Sequence, residues 1–402
     1  MAQGFSQVPG VDYFDTFAPV ACLASIRTVL AFAAAEGYET GQIDIKAAYL
    51  NGELTENEVI FMKQAPGYEE VGEDGVVKVL RLWKSLYGLK QAGRRWYQKL
   101  VAIMTKLGFL LCEGDQAVFY RRCERTHVLI VVLVHVDDCS IVGKTKALVA
   151  RFKVEIAKFV DITDMGELHW ILGIDVCRIC EENKILLSQK SYIDSILHCY
   201  GFEDLKPVAT PMDPNVWLTS AQSLSTTEEL AAMRHIPYHE AVGSLMYATL
   251  STRPDICFAV QTVLRFNSKP GLAHWEAVKR IFWYLKGTRE LWLSYGGVIR
   301  ELVGYADADG SMNEDRKAIS RYAFMINGGA VAKRQEIISL LTTESEYIAA
   351  THAAKEALWL QQLILQLFGI KLTATTLFSN NQSAIALSKE HQYHACTKHI
   401  DV

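Results

Sequence analysis

Seven consecutive apolar residues, Val128 to Val134, run straight into His135, Val136, Asp137 and Asp138. An apolar run of this length, closed by Gly143, reads as one buried strand. Two carboxylates at the end of such a strand are costly unless a cation meets them. Ser25 to Ala35 is predicted as a helix with Ser25 as its cap, and Thr40 to Leu50 opens as a strand that carries Asp44 among apolar neighbours. Ser85 to Leu107 predicts a single long basic helix, because Trp96, Leu100, Ile103 and Leu107 recur at helical spacing. GIDVCRICEENKILLSQ, residues 173–189, reads as a hairpin. Cys177 and Cys180 lie three apart, which on a strand sends the thiols to opposite faces, so the CxxC is a weak zinc signal.

Residues 206–229 are polar and Pro-containing, the pattern of a linker. A helical block follows from Tyr238 to Leu285 and ends before Gly296 and Gly297. Beyond it the pattern predicts strands at 301–308, 321–327 and 336–341, a helix from Thr343 to Phe368 and a strand at 375–379. Three strands, a helix and a further strand make a compact mixed α/β domain. No internal repeat is visible.

At 402 residues, half of them apolar, the chain is long enough for two or three domains at about 150 residues each. The longest apolar run falls far short of the roughly 20 residues a bilayer needs. The first ten residues lack a charged-then-apolar signal pattern. A soluble, intracellular chain is expected. Nine scattered cysteines offer no disulfide framework. The net charge of −4 excludes a globally basic nucleic-acid coat, yet it hides local bias. Lys78 to Lys106 holds eight basic residues and no acid, and Arg265 to Arg289 holds six against Glu276 alone. Such blocks can neutralise phosphates, although a solvated helix face has the same composition.

Two-metal phosphoryl transfer needs carboxylates from separate strands converging on two cations about 4 Å apart. Asp44 and Asp137 can supply them. On a regular strand adjacent side chains point opposite ways, so Asp137 and Asp138 contribute unequally unless a tight turn follows at once.

QIDIKAAYLNGEL, LWKSLYGLKQAGRRWYQKL, VHVDD, PYHEAVGSLMYATLSTRPDICFAV, HWEAVKRIFWYLKGT, GYADADG, TTESEYIAATHAAKEALWL and NNQSAIAL, in this order, span almost the whole chain. Together they resemble the reverse transcriptase and ribonuclease H segments of copia-type retrotransposon polyproteins. The resemblance implies an α+β class, with a right-hand polymerase (palm, fingers, thumb) fold followed by a ribonuclease H-like α/β domain. It places reverse transcriptase fingers and palm at 1–215, truncated at the N-terminus, a thumb or connection at 216–300, and a C-terminally truncated ribonuclease H-like domain at 301–402. It makes Asp44, Asp137 and Asp138 polymerase metal ligands, with two Mg2+ per catalytic site. Tyr49 then crowds the sugar of the incoming nucleotide, and Tyr87, Gly88 and Lys90 lie beside the nucleotide pocket. Lys84, Arg94, Arg95, Lys99, Lys279 and Arg280 are the implied nucleic-acid contacts. Asp307 and Glu346 match the first two ribonuclease H carboxylates, and Asp309 is an accessory charge at a strand end. The implied partners are an RNA template, a DNA primer duplex and dNTPs, without a membrane, in cytoplasmic particles or the nucleus. The capsid, protease and integrase segments of such polyproteins are absent from this chain.

Several positions depart from that family's pattern. Asn380 stands where the third ribonuclease H carboxylate belongs, and an amide brings no charge to a second metal. The fourth carboxylate falls beyond Val402, with Asp401 a poor substitute, so the ribonuclease H activity is expected to be dead. The segment between Gly329 and Lys333 is shorter than usual, which would shift a strand's register if an odd number were lost. The chain also opens at AQGFSQ, where the family's fingers continue upstream. Cys22, Cys396, Trp283 and His135 replace other expected residues, His135 standing where the family has a phenol. A histidine sharing a strand face with Asp137 would crowd or compete for the metal. The sequence thus predicts a degenerate copy with weak or no polymerase activity, with a working RNA-directed DNA polymerase whose ribonuclease H domain is impaired as the next reading and a non-catalytic nucleic-acid-binding relic as the third.

Overall fold

The computed structural model describes residues 2–123, 128–204, 206–224, 226, 231, 233–297, 301–309, 318–339 and 342–389. Asp401 and Cys396, singled out above, lie outside these described residues. The chain forms two compact units, one of residues 1–29, 38–168 and 363–370, the other of 30–37, 169–362 and 371–402.

The elements of the first unit are α1 (Leu23–Glu36, divided between the units), β1 (Glu39–Ile45), β2 (Ile60–Lys63), β3 (Val79–Leu82), α2 (Ala92–Lys106), β4 (Leu110–Leu111), β5 (Val118–Cys123), β6 (Val128–His135), β7 (Asp138–Gly143), α3 (Lys146–Ile156) and β8 (Ile162–Gly166). Six strands build an antiparallel sheet in the order β4-β5-β6-β7-β1-β8, and β2 pairs with β3 separately. β6 is interior, and Leu129 to Val134 are all buried, which is why its pattern is continuous rather than alternating. Ile130, Val132 and Val134 share one face of that strand and join a core with Trp96, Leu100, Ile103 and Met104 of α2 and Phe152 and Ile156 of α3.

Three local expectations are corrected here. Ser25 lies inside α1, fully buried, and its N–H donates to the Cys22 sulfur at 3.4 Å, so Cys22 occupies the capping position. The helix expected at 85–107 begins at Ala92, because Gly88 adopts φ +99°, a left-handed conformation that breaks helical propagation. The single strand expected through the acidic pair is instead the β6–β7 hairpin.

The second unit contains β9 (Trp170–Ile171), β10 (Ile174–Ile179), β11 (Lys184–Ser188), α4 (Lys190–Cys199), α5 (Tyr238–Ser251), α6 (Cys257–Leu264), α7 (Leu272–Gly287), β12 (Leu293–Gly296), β13 (Val303–Asp309), β14 (Ala318–Ile326), β15 (Gly329–Ser339), α8 (Thr342–Phe368, also divided), β16 (Thr376–Ser379) and α9 (Gln382–Lys389). The hairpin expected around the CxxC is β10–β11, turned at Asn183 with φ +49°, and β12, which the pattern did not predict, pairs with β11.

Helices α4 to α7 share one apolar core that includes Leu197, Tyr238, Leu245, Val263, Ile281 and Phe282. The described residues of the expected linker are bound to it as a strap. Leu218 and Met212 pack on this core, Leu224 is buried in it, and Arg280 donates to the Thr210 hydroxyl at 3.0 Å. Polar, Pro-containing composition marked irregular backbone correctly but not freedom, because single apolar side chains suffice to anchor it.

His274 pins this strap. The Gly271 N–H donates to its Nδ1 at 2.8 Å, so Nε2 carries the proton and donates to the Thr219 carbonyl at 3.1 Å, while the ring stacks on Phe266 at 3.9 Å. Burial holds this imidazole below its ordinary range, opposed by the Thr219 bond. The folded chain therefore binds this proton less readily than the unfolded one, and stability present above pH of about 6.5 is lost as pH falls toward the lowered folded value. His274→Gln is expected to flatten that slope in urea midpoints measured between pH 7 and 5. An unchanged slope would remove His274 as its source.

The last sheet runs β15-β14-β13-β16, with β16 parallel to β13 and the other pairs antiparallel. Asn327 and Gly328 turn β14 into β15 with φ +48° and +82°, the type I′ signature of an Asn-Gly hairpin. β15 therefore starts at Gly329 rather than 336, and the pairs Phe324–Ala332 and Met325–Ala330 leave Val331 as a bulge. The ladder thus shifts register within 329–333.

Candidate active site

The β6–β7 hairpin has a two-residue turn, Val136–Asp137, closed by the pair His135–Asp138. Val136 sits at φ +62°, where a β-branched residue is strained by about 1–3 kcal/mol. Two hydrogen bonds hold the turn: the Trp96 indole N–H donates to the Val136 carbonyl at 2.7 Å, and the Ile45 N–H donates to the Asp137 carbonyl at 2.9 Å. The tight turn resolves the expected inequality of the acidic pair by lifting Asp137 off the strand.

Asp138 pairs with Asp44 across β7 and β1, and with His135 across β7 and β6, so the three form one cross-strand row. The expectation that His135 shares a face with Asp137 is thus corrected: its neighbour is Asp138, because the strand ends at His135. Directly opposed like charges in a sheet are destabilising. The Asp138 carboxyl is held above its ordinary range by partial burial, then by the charges of Asp137 and Asp44, against the opposing effects of His135 and the Gln42 amide. Gln42 is buried on the Asp44 face of β1, two residues away, a position sequence reasoning passed over.

Three carboxylates are the hard-oxygen donor set that Mg2+ takes. Their mutual charge repulsion fits such a cation. Among the described residues, however, no three His, Cys, Asp or Glu side chains close into a group arranged to hold one.

Tyr49 follows Ala47, which at φ +49° starts the short 3-10 turn Ala48–Asn51. Its ring lies 4.9 Å from that of Tyr87, and burial, then the Asp137 charge and Tyr87, push its hydroxyl above the ordinary range. Tyr49, Leu89, Lys90, Gly93, Trp96 and Val136 line part of a pocket of about 360 Å³. Any side chain at Gly88 would meet the Ala2 carbonyl, and the Ala2 N–H donates to the Tyr87 carbonyl at 2.8 Å.

The basic block is less free than its sequence implies. Arg94 pairs with Asp15 at 2.8 Å, Arg95 with Glu58 at 2.6 Å, and Lys99 with Glu53 at 2.6 Å. The Lys99 hydrogen bond, then its charge, hold Glu53 below the usual carboxylate range. Lys84 and Lys90 are exposed. In the second unit Lys279 pairs with Glu276 at 2.5 Å, and Arg280 lies 3.6 Å from Asp213.

The second unit also brings Asp307, Glu346 and Asn380 together. Asp307 lies on β13, next to β16, after which Asn380 donates its amide N–H to Asp307 at 3.1 Å. Glu346, on α8, is only 5% exposed, and burial followed by the Asp307 charge raises its carboxyl, against an Ala308 N–H bond. Asp309 ends β13, as expected.

No helix among the described residues is long and apolar enough to cross a membrane. The profile of the family described as reverse transcriptase (RNA-dependent DNA polymerase) matches residues 1–214. The Retrovirus-related Pol polyprotein from transposon TNT 1-94 of Nicotiana tabacum is 42% identical over 406 residues, covering 100% of this chain and 30% of its own. That from transposon RE1 of Arabidopsis thaliana is 33% identical over 410 residues, covering 100% of this chain and 27% of its own. The chain thus spans less than a third of the length of either polyprotein. A foamy viral protease-reverse transcriptase solved in complex with ds DNA aligns over 88% of this chain and 51% of its own, at 12% identity and a TM-score of 0.45. The family profile over residues 1–214 and the two polyprotein matches over the whole chain show that it belongs to the reverse transcriptase (RNA-dependent DNA polymerase) family, as a copia-type retrotransposon Pol segment.

Proposed function

We propose that this chain is a degenerate copy of a retrotransposon RNA-directed DNA polymerase, retaining weak or no two-metal nucleotidyl transfer. The carrying observation is the opposition of Asp44 and Asp138 across neighbouring strands, with Asp137 in the adjoining turn. These three would hold Mg2+, which when bound activates the attacking oxygen and stabilises the leaving one. Trp96 and Ile45 orient the turn that carries Asp137. Tyr49, buttressed by Tyr87, crowds the sugar of a nucleotide in the adjacent pocket, while Lys84 and Lys90 remain exposed to meet phosphates. Template–primer duplex and dNTPs are the partners, with Arg94, Arg95, Lys99, Lys279 and Arg280 released from their ion pairs on contact. In this reading 1–215 form fingers and palm, 216–300 the thumb or connection, and 301–402 a ribonuclease H-like domain.

Weak activity is the reading that His135 favours, since it pairs with Asp138 across the hairpin and its Nδ1 is buried with no hydrogen-bond partner among the described residues. Primer extension on an RNA template with Mg2+ tests this. Extension is expected to be slow and to disappear in Asp137→Asn. Extension that survives Asp137→Asn would sink the assignment. A non-catalytic nucleic-acid binder would instead show no extension and salt-dependent duplex binding that Asp44→Asn leaves intact.

A further inference from the structure

We propose that the cluster of Asp307, Glu346 and Asn380 is closed to divalent cations, because the chain's own N–H donors occupy the place a cation would take. The inference rests on reading the terminal α/β domain as ribonuclease H-like, where two metals would be expected. In this chain the residues do not fit them.

Both oxygens of Asp307 face donors. The Asn380 Nδ2 donates to Oδ1 at 3.1 Å, and Arg321 Nη1 lies 4.0 Å from Oδ2. Arg321 is built into this position, since it pairs with Asp307 across the β13–β14 ladder. A cation approaching Asp307 would meet a guanidinium and the positive end of an amide dipole, so like charge opposes it from two sides. Glu346 offers little compensation. The Ala308 N–H bonds it, it is nearly enclosed, and Oε2 alone accepts no hydrogen bond among the described residues. One oxygen is a poor beginning for an ion that prefers an octahedron of them.

The substitution at Asn380 therefore does more than remove a ligand. A carboxylate there would repel Asp307 and call for a cation, whereas an amide turns its N–H inward and satisfies Asp307 without one. The pair Asp307–Asn380 becomes a structural tie between β13 and the segment that follows β16.

Mn2+ titration of the full chain, read by electron paramagnetic resonance, tests this. In the native sequence Asp307→Asn is expected to leave the number of bound Mn2+ ions unchanged. Asn380→Asp is expected to add one bound Mn2+, which Asp307→Asn in the same chain then removes. The proposal is overturned if Asp307→Asn alone releases an ion, as it would were the amide to turn its carbonyl toward a metal. It is equally overturned if Asn380→Asp adds none while circular dichroism shows the chain folded. The native-sequence comparison stands even if Asn380→Asp fails to fold. Cleavage of the RNA strand of an RNA–DNA hybrid separates the two claims. An Asn380→Asp chain that gains Mn2+ supports closure of the native cluster whether or not the hybrid is cut, and cutting that appears only in Asn380→Asp supports the ribonuclease H-like reading separately.

Discussion

Arg253→Ala destabilises the helical core of the second unit by about 1.5–3 kcal/mol, the range for hydrogen bonds to a charged group, since Arg253 is buried and its partner Asp255 only in part. Arg253 is 1% exposed, between α5 and α6, and each of its guanidinium nitrogens donates a hydrogen bond. Nε and Nη2 grip both oxygens of Asp255 at 2.9 and 2.6 Å, while Nη1 donates to the Thr288 carbonyl at 3.1 Å and Nη2 to its hydroxyl at 2.5 Å. Burial alone would raise the Asp255 carboxyl. The Arg253 hydrogen bonds and charge, with the Tyr284 hydroxyl, overcome it and hold the group below the usual range. Without the guanidinium, Asp255 keeps its charge beside an apolar core, and the Thr288 carbonyl at the end of α7 loses its donor. Arg253→Lys recovers part of the loss, because an ammonium cannot grip both oxygens in a planar fork. Urea unfolding followed by Trp275 and Trp283 fluorescence measures the series. A loss below about 1 kcal/mol for Arg253→Ala, the level of an exposed pair, would show that the network contributes little.

Trp96→Ala should cost a further class of stability, about 3–5 kcal/mol for a large buried aromatic, and should also loosen the acidic turn. The two effects separate in Trp96→Phe, which keeps most of the ring but leaves the Val136 carbonyl without its donor, at about 1–3 kcal/mol. That bond matters because Val136 is strained at φ +62° and needs an external tie. Glycine adopts the same backbone without steric cost. Trp96→Phe is therefore expected to cost less in a Val136→Gly chain than in the native one, a coupling that a double-mutant cycle reads directly. Simple additivity of the two substitutions would mean that Trp96 serves the core and not the turn.

Where local chemistry dictated geometry, the chain was readable residue by residue. The hairpin around Cys177 and Cys180 followed from its alternation and turned at Asn183, a residue tolerant of the left-handed region. Asn327–Gly328 carried an equally plain turn signal, which the reading of the third strand passed over. Val136–Asp137 has no turn chemistry of its own, so nothing local announced a hairpin there. Its turn exists because an indole from α2 and an amide from β1 reach it. The basic stretch shows the same division. Its charges were countable, but Asp15, Glu53 and Glu58 come from segments far along the chain.

The order of apolar and polar residues was enough to predict most of the strands and helices, and the ordered motifs carried the resemblance to the family, because these depend on side-chain type and near-neighbour sequence. It could not show that His135 stands beside Asp138, that Asn380 turns its amide on Asp307, or that residues 206–224 form an anchored strap. Those facts depend on which remote groups share a few ångströms, where charge and hydrogen bonding act. Ancestry is thus written in residue identity, whereas the capacity of each acidic cluster to take a cation rests on what folding places next to it.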